Sequence, residues 1–414
     1  MTSPRPDRIH SIDVLRGFAL LGILLVNCAY FALPQNIAGE MPSLETGSTS
    51  ELLAWAFVRA FFELKFVALF SFLFGIGFAM QAKGSTPGDG FKQRYGRRLL
   101  LLAIFGALHG VFLFMGDVLL CYSACGVVLL LTQSFSSRTK LLLGAGLVLA
   151  MIPWMGVLQG LETLEEPVPE TQSSLELSTA GPLDFLSAYV EQTPAAFAII
   201  EQQVFAEGPS ASSIAMRAAQ FFVFLVFCLV YFGWRALGFF FLGAAAFEYG
   251  LFEPQGLPWL RRMRSIGLGA GIPLTLGATA FSIWSAGHPG PLVAALDGCL
   301  AELAGLLIPM GFAGAVLLWA NGGRNRLLSA FSAVGRTALT NYIGQSVFMG
   351  FLFYHWGLGL YGQASLTQLL LISAGVLVLQ LALSPLWLAR FRMGPLEWLW
   401  RWATYGQRPA FRRT

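Results

Sequence analysis

Long apolar stretches separated by short polar ones cover most of the chain. Ten of them, at roughly 15–33, 53–81, 99–115, 118–134, 141–160, 217–252, 265–285, 292–320, 330–355 and 366–389, have the length and continuity of helices crossing a hydrocarbon layer about 30 Å thick. The expected fold is all-α: a polytopic transmembrane helix bundle of about ten spans, forming one multi-pass domain over residues 1–414. The sixth stretch is too long for one simple crossing. It reads either as a single tilted helix or as an interfacial helix followed by a span that starts near Gly233.

Between the spans, charge is distributed unevenly. Lys83, Lys92, Arg94, Arg97, Arg98, Arg138, Lys140, Arg261, Arg262, Arg264, Arg324 and Arg326 fall in alternate loops. The segment 161–216 has nine acidic residues and no Lys or Arg. Basic loops stay in the cytoplasm. Both termini are therefore expected on the cytoplasmic side of the membrane, with 161–216 as an extracytoplasmic loop. That loop reads either as a solvated connector with short helices or as a lid over an outward-facing mouth. Residues 390–414 are Arg- and Trp-rich ("FRMGPLEWLWRWATYG") and read as a cytoplasmic interfacial tail or as a plug.

Composition agrees with the pattern. Of the 414 residues, 56% are hydrophobic and 12% charged, about half the charged share of a soluble domain. The net charge of +4 is spread over loops without an aromatic–basic stripe, so it implies orientation and not nucleic-acid binding. Five cysteines with no close CxxC pair indicate neither a disulfide framework nor a metal site. The glycine-rich runs "FGIGF" and "GLGAGIP" lie inside spans, where they read as close helix packing and not as phosphate loops.

Polar residues at membrane depth are the candidate chemistry, because they are costly there and face the protein interior. At 1.5 Å per residue from the basic end of each span, Asn27, Ser71, His109 and Asn341 all fall about 15–18 Å deep. His109 is the one histidine at this depth and reads as a general base or as a helix–helix hydrogen bond. His355 lies at the outer end of the ninth span. Asp117 is eight residues beyond His109, about 12 Å along a continuous helix, so the group orienting His109 is expected from another span.

Arg16 and Asn27 are 11 residues apart on one helical face, as are Arg98 and His109. In each pair a basic group at the mouth sits below a polar group at mid-depth. The ninth span, "FSAVGRTALTNYIGQSVF", carries a broad polar face through Arg336, Thr337, Thr340, Asn341 and Gln345. Arg59 and Glu63 can pair at i, i+4. Lys65 either snorkels outward or binds an anionic group. Arg235 and Glu302 need partners.

The stretches "RIHSIDVLRGFALLGILLVN", "FFELKFVALFSFLFGIGF", "RRLLLLAIFGALHGVFLFMGDVLLCYSACG", "GRTALTNYIGQS" and "GPLEWLWRWATYG" resemble the YeiB-like family of bacterial inner-membrane proteins, a domain of unknown function. More distantly, "DVLRGFALLGILLVN" is similar to the opening of the multi-spanning membrane acyltransferases, including the heparan glucosaminide acetyltransferase type. That resemblance implies acyl transfer from cytoplasmic acyl-CoA to an acceptor on the far side. Many of those enzymes have a histidine where Asn27 stands, while the glucosaminide type has Asn there; without the first-span histidine, His109 would have to serve as the base here.

The leading expectation is thus a transmembrane acyltransferase in the lipid bilayer. His109 is its catalytic residue. Arg16, Asn27, Lys65, Ser71, Arg98, Asp117, Arg336, Asn341 and Gln345 are its candidate substrate-binding residues. Arg16, Arg98 and Arg336 would hold the anionic parts of acyl-CoA, while Asn27, Asn341 or Gln345 would donate to an oxyanion. Acyl-CoA is expected as co-substrate, with a small-molecule or glycan acceptor, no resident cofactor, no metal and no nucleic acid. The alternatives are a transporter or permease for a small anionic solute, with Lys65, Arg235 and Glu302 along its path, and a non-catalytic envelope protein.

Overall fold

A computed structural model describes residues 10–44, 47–86, 90–164, 179–323 and 325–413. The described residues are almost wholly helical, with one isolated bridge between Phe391 and Arg412.

Helix α1 (His10–Ala32) is followed by a short α2 (Gln35–Ala38). The second apolar stretch is broken into α3 (Thr49–Phe61) and α4 (Lys65–Lys83), with Leu64 in the left-handed region at φ 62. Next come α5 (Phe91–Phe112), α6 (Leu119–Leu131) and α7 (Ser137–Glu162). Helices α8 (Pro182–Glu191) and α9 (Pro194–Glu207) precede α10 (Ser210–Phe227), which runs through a π turn at Cys228–Phe232 into α11 (Gly233–Glu248). Then follow α12 (Leu257–Gly269), α13 (Gly271–Ser285), α14 (Pro291–Asn321), α15 (Arg326–Arg336), α16 (Ala338–Phe353), α17 (Leu366–Arg390) and α18 (Pro395–Tyr405).

Among the described residues, eight helical segments are long and apolar enough to cross a membrane. They account for eight of the ten apolar stretches, and the other two differ. Helix α6 has 13 residues, about 20 Å, too short to cross alone. The ninth stretch is split at Thr337 into α15 and α16, of 11 and 16 residues. The sixth stretch is one continuous 39-residue helix, and its α-helical register resumes at Gly233 after the π turn. The protein is a polytopic membrane bundle.

Close packing rests on glycine where backbones touch. A Cβ on Gly17 of α1 would meet Phe331 O of α15 at 2.0 Å, and one on Gly335 of α15 would meet Asp13 O at 1.9 Å. Any side chain there separates the two helices. Gly75, from "FGIGF", packs the same way against Phe240 O of α11 at 2.0 Å, which accounts for that run as helix packing.

The helix ends sort into two faces. The basic face is tied together by Lys140 with Glu248 at 2.5 Å and by Lys83 with Glu253 at 3.6 Å. At the opposite face, α8, α9 and the start of α10 cover the ends of α1 and α16 and the turn from Tyr354 to Tyr361. Phe31, Phe114, Phe185, Val204, Phe205 and Tyr361 form the core of this cap. Glu201 is buried at its centre, accepting from the Tyr361 hydroxyl at 2.6 Å, Gln220 Nε2 at 2.8 Å and the Gln35 amide at 3.1 Å. Burial pushes its carboxyl above the usual range. The described part of 161–216 is therefore a packed cap and not a solvated connector. The Pro- and Glu-rich part at 165–178 lies outside the described residues.

Candidate functional site

The geometry around His109 starts where α5 stops. The His109 carbonyl accepts both the Leu113 and the Phe114 amides, at 2.9 and 2.8 Å, which closes the helix and turns the chain back. The turn lies directly on α5, because Gly106 offers no side chain: a Cβ there would meet the Leu120 nitrogen at 2.4 Å and Asp117 Oδ2 at 2.8 Å. Asp117 Oδ2 accepts the Leu119 and Leu120 amides at 2.8 and 3.4 Å, capping α6. Its Oδ1 lies 2.8 Å from His109 Nδ1. From the far side, α16 brings the Ser346 hydroxyl to 2.8 Å from His109 Nε2. The Tyr342 hydroxyl donates to Asp117 Oδ1 at 3.4 Å, and its ring lies 4.9 Å from the imidazole.

All three central residues are enclosed. His109 is 3% exposed, Asp117 0% and Ser346 2%. A carboxylate at that depth is costly without partners, and here one imidazole, one phenol and two backbone amides surround it. With the carboxylate at Nδ1, the ring proton belongs on Nδ1. The Nε2 lone pair then accepts the Ser346 hydroxyl. The arrangement is a hydroxyl, a base and an orienting carboxylate in series, able to take a proton from an oxygen and return it.

This overturns one expectation. Asp117, and not a group from another span, faces His109 Nδ1, because the helix ends at Phe112 and the 12 Å rise along a continuous helix does not apply. Ser346 and Tyr342 were not singled out by sequence reasoning. Each follows Asn341 or Gln345 by one residue, about 100° around the helix, so the two pairs face different neighbours.

The other candidates do not converge on His109, whose ring nitrogens are taken by Asp117 and Ser346. A shared depth says nothing about which way each side chain faces. Ser71 is bonded to the Tyr122 hydroxyl at 2.6 Å and to its own helix. Asn341 donates to Thr337 Oγ1 at 2.9 Å and Ser384 Oγ at 3.1 Å, bracing the break between α15 and α16 against α17. Gln345 donates to Gln380 Oε1 at 2.9 Å. Asn27 is half-buried on α1. Arg16 pairs with Asp13 at 3.1 Å. Arg98 donates to Gln81 Oε1 at 2.7 Å and lies 5.8 Å from the Trp400 ring, while Arg336 donates to the Arg392 carbonyl at 3.3 Å. Arg98 and Arg336 thus both meet the tail.

Lys65 neither snorkels nor stands free. It is buried, and its ammonium donates to the Arg59 carbonyl at 2.6 Å, neutralising the negative end of α3 at the break. Arg59 itself reaches Asp297 at 2.8 Å and Ser282 at 2.8 Å. Below it, Arg235 meets Glu302 at 3.1 Å, the Leu64 carbonyl at 3.1 Å and the Gly305 carbonyl at 3.0 Å. Tyr231, carried by the π turn, donates to the other Glu302 oxygen. Among the described residues, no group of His, Cys, Asp and Glu is arranged to hold a metal.

Comparison with known proteins adds a family but no chemistry. Residues 246–407 match a family described as "Protein of unknown function (DUF418)". The chain is 33% identical to the uncharacterized protein YxaH of Bacillus subtilis (strain 168), covering 96% of this chain and 94% of the relative. It is 30% identical to the uncharacterized protein YeiB of Escherichia coli (strain K12), covering 96% of each. An uncharacterized 39.9 kDa protein of Bacillus acidopullulyticus is 28% identical over 97% of this chain.

Proposed function

The chain belongs to the YeiB-like family, and from its buried histidine site we propose that it is a transmembrane acyltransferase. The observation that carries the reading is His109, held at Nδ1 by Asp117 and presenting Nε2 to a hydroxyl. Acyl transfer from a thioester needs a base that takes a proton from an attacking hydroxyl or amine and then protonates the leaving thiolate. On this reading the protein sits in the inner membrane with its basic face in the cytoplasm. An acyl-CoA-type donor approaches from that side. Arg98 and Arg336, at the tail, meet its phosphates, and the acceptor is a small molecule or glycan on the cap side or in the membrane. The permease alternative has less support, since Lys65, Arg235 and Glu302 are held in closed hydrogen-bond sets.

The test uses membranes containing the full chain and radiolabelled acetyl-CoA. Wild type should move label into an extractable acceptor that control membranes leave unlabelled. His109→Gln should lower that transfer by about 10²–10⁴ while melting near wild type. Equal transfer by wild type and His109→Gln would overturn the reading.

A further inference from the structure

Within the acyltransferase reading, on which this inference rests, we propose that Ser346 is a nucleophile that carries the acyl group as an ester between donor and acceptor. Three observations support it. First, the Ser346 hydroxyl makes only a long hydrogen bond to its own helix, to the Tyr342 carbonyl at 3.4 Å, whereas His109 Nε2 is at 2.8 Å. A serine in a helix ordinarily bonds back to its own backbone, so this hydroxyl is turned towards the imidazole. Second, the opposite ring nitrogen faces a carboxylate, which fixes the tautomer and leaves Nε2 as the acceptor. Third, the carboxylate is fully buried and triply supported. A helix-to-helix tether needs only neutral partners such as the Gln345–Gln380 pair one residue away. A charged orienting group is what a base requires if it is to become a cation during reaction.

The steps balance without an oxidant or reductant. Ser346 Oγ attacks the thioester carbonyl carbon, and its proton passes to His109 Nε2. The carbon–sulfur bond breaks, the thiolate takes the proton from Nε2, and acyl-Ser346 and free thiol result. An acceptor hydroxyl or amine then gives its proton to Nε2 and attacks the ester carbon. Ser346 leaves and recovers the proton.

A fluorophosphonate probe tests the nucleophile independently of the donor's identity. The solubilised full chain is treated with fluorophosphonate–biotin, and the labelled peptide is identified by mass. Ser346 should be labelled in wild type and unlabelled in Ser346→Ala. In His109→Gln the labelling rate should fall by about 10²–10⁴. Asp117→Asn, which keeps the side chain's shape, is the second variant and should also slow labelling while leaving the melting temperature near wild type. An unlabelled Ser346 in wild type, or equal labelling rates in wild type and both variants, would overturn the proposal. The two readings separate in the transfer assay. If Ser346→Ala keeps transfer that His109→Gln loses, acyl transfer is direct and the Ser346 ester is refuted. If Ser346 labels as expected but no acyl-CoA serves as donor, the nucleophile stands and the acyl-CoA reading falls.

Discussion

Glu397 and Thr340 are 57 residues apart in the chain, and the Glu397 carboxylate accepts the Thr340 hydroxyl at 2.6 Å. Its other oxygen accepts the Leu339 and Thr340 amides at 2.7 and 3.1 Å. The break at Thr337 leaves the first turn of α16 with free amides and a positive helix end, and the tail inserts an anion there. Trp400 of the same helix packs against Phe105 of α5 at 5.9 Å. The tail thus joins the helix carrying His109 to the helix carrying Ser346. Glu397→Ala should lower stability in detergent by about 1–2 kcal/mol and speed tryptic cleavage at Arg401. Glu397→Gln, which keeps an acceptor but no charge, should cost less. Unchanged melting and cleavage in Glu397→Ala would show that the tail is only laid on the surface.

The bundle was legible from the apolar stretches because hydrocarbon thickness imposes a length on each helix. The excess length of the sixth stretch was legible for the same reason, and the structure makes it one continuous helix with a π turn. What the stretches could not show is where a helix breaks within the apolar region. The interruptions at Leu64, at Thr337 and after Phe112 fall among residues as apolar as their neighbours or in short polar patches. The break after Phe112 decides the site, because it turns Asp117 back onto His109. Depth along a helix could be computed from sequence, but direction around it could not. His109 was thus singled out by its depth, and Asn27, Ser71 and Asn341 were grouped with it on depth alone, although their side chains do not meet it. Ser346, one serine in an apolar run, became visible only when α5 and α16 were seen side by side.

Orientation is open to direct labelling. The five native cysteines are buried or half-buried, so introduced ones dominate the signal. Leu183 on α8 is 77% exposed, and Lys92 at the start of α5 is exposed on the basic face. Ser213, in the same cap, is buried and bonded to the Val204 carbonyl, so it makes a poor labelling position. In intact spheroplasts, an impermeant maleimide should label Leu183→Cys at once and Lys92→Cys only after lysis. The reverse pattern would invert the topology.

The cap should lose stability on acidification through His355. Its two ring nitrogens lie 2.9 Å from the Ser210 hydroxyl and 3.2 Å from the Ser213 hydroxyl, and its amide donates to the Phe205 carbonyl at 2.7 Å. Burial, aided by the nearby Arg217 cation, holds its pKa below the ordinary histidine value. The folded protein therefore favours the neutral ring. That contribution is fully present above about pH 6.5 and is lost as pH falls from there through the lower folded value. Glu201, with its raised pKa, acts in the opposite sense, since its contribution is lost as pH rises. Melting temperatures of wild type and His355→Gln, taken from pH 7.5 down to pH 5, isolate the histidine. The difference between them should shift in favour of His355→Gln as pH falls. A pH-independent difference would mean that the ring does not titrate differently on folding.

Arg235 and Glu302 should prove structural, and the pattern of losses distinguishes this from a solute path. Both are fully buried at 1% and 0% exposure, and the arginine makes three hydrogen bonds that join α11, α14 and the break before α4. Removing one member of a buried pair strands the other and typically costs about 3–5 kcal/mol. Replacing both with apolar groups of similar volume is often neutral or stabilising. Arg235→Met and Glu302→Leu should each lower the melting temperature sharply, with the double substitution recovering most of the loss. Two residual costs remain in the double variant, because the Leu64 and Gly305 carbonyls lose their donor and Tyr231 loses its acceptor. Recovery should therefore be incomplete. If the pair instead lined a solute pathway, the single variants would melt near wild type, because water in the path would solvate the stranded charge. Single variants that keep wild-type melting would thus argue for the permease and against a sealed bundle around His109.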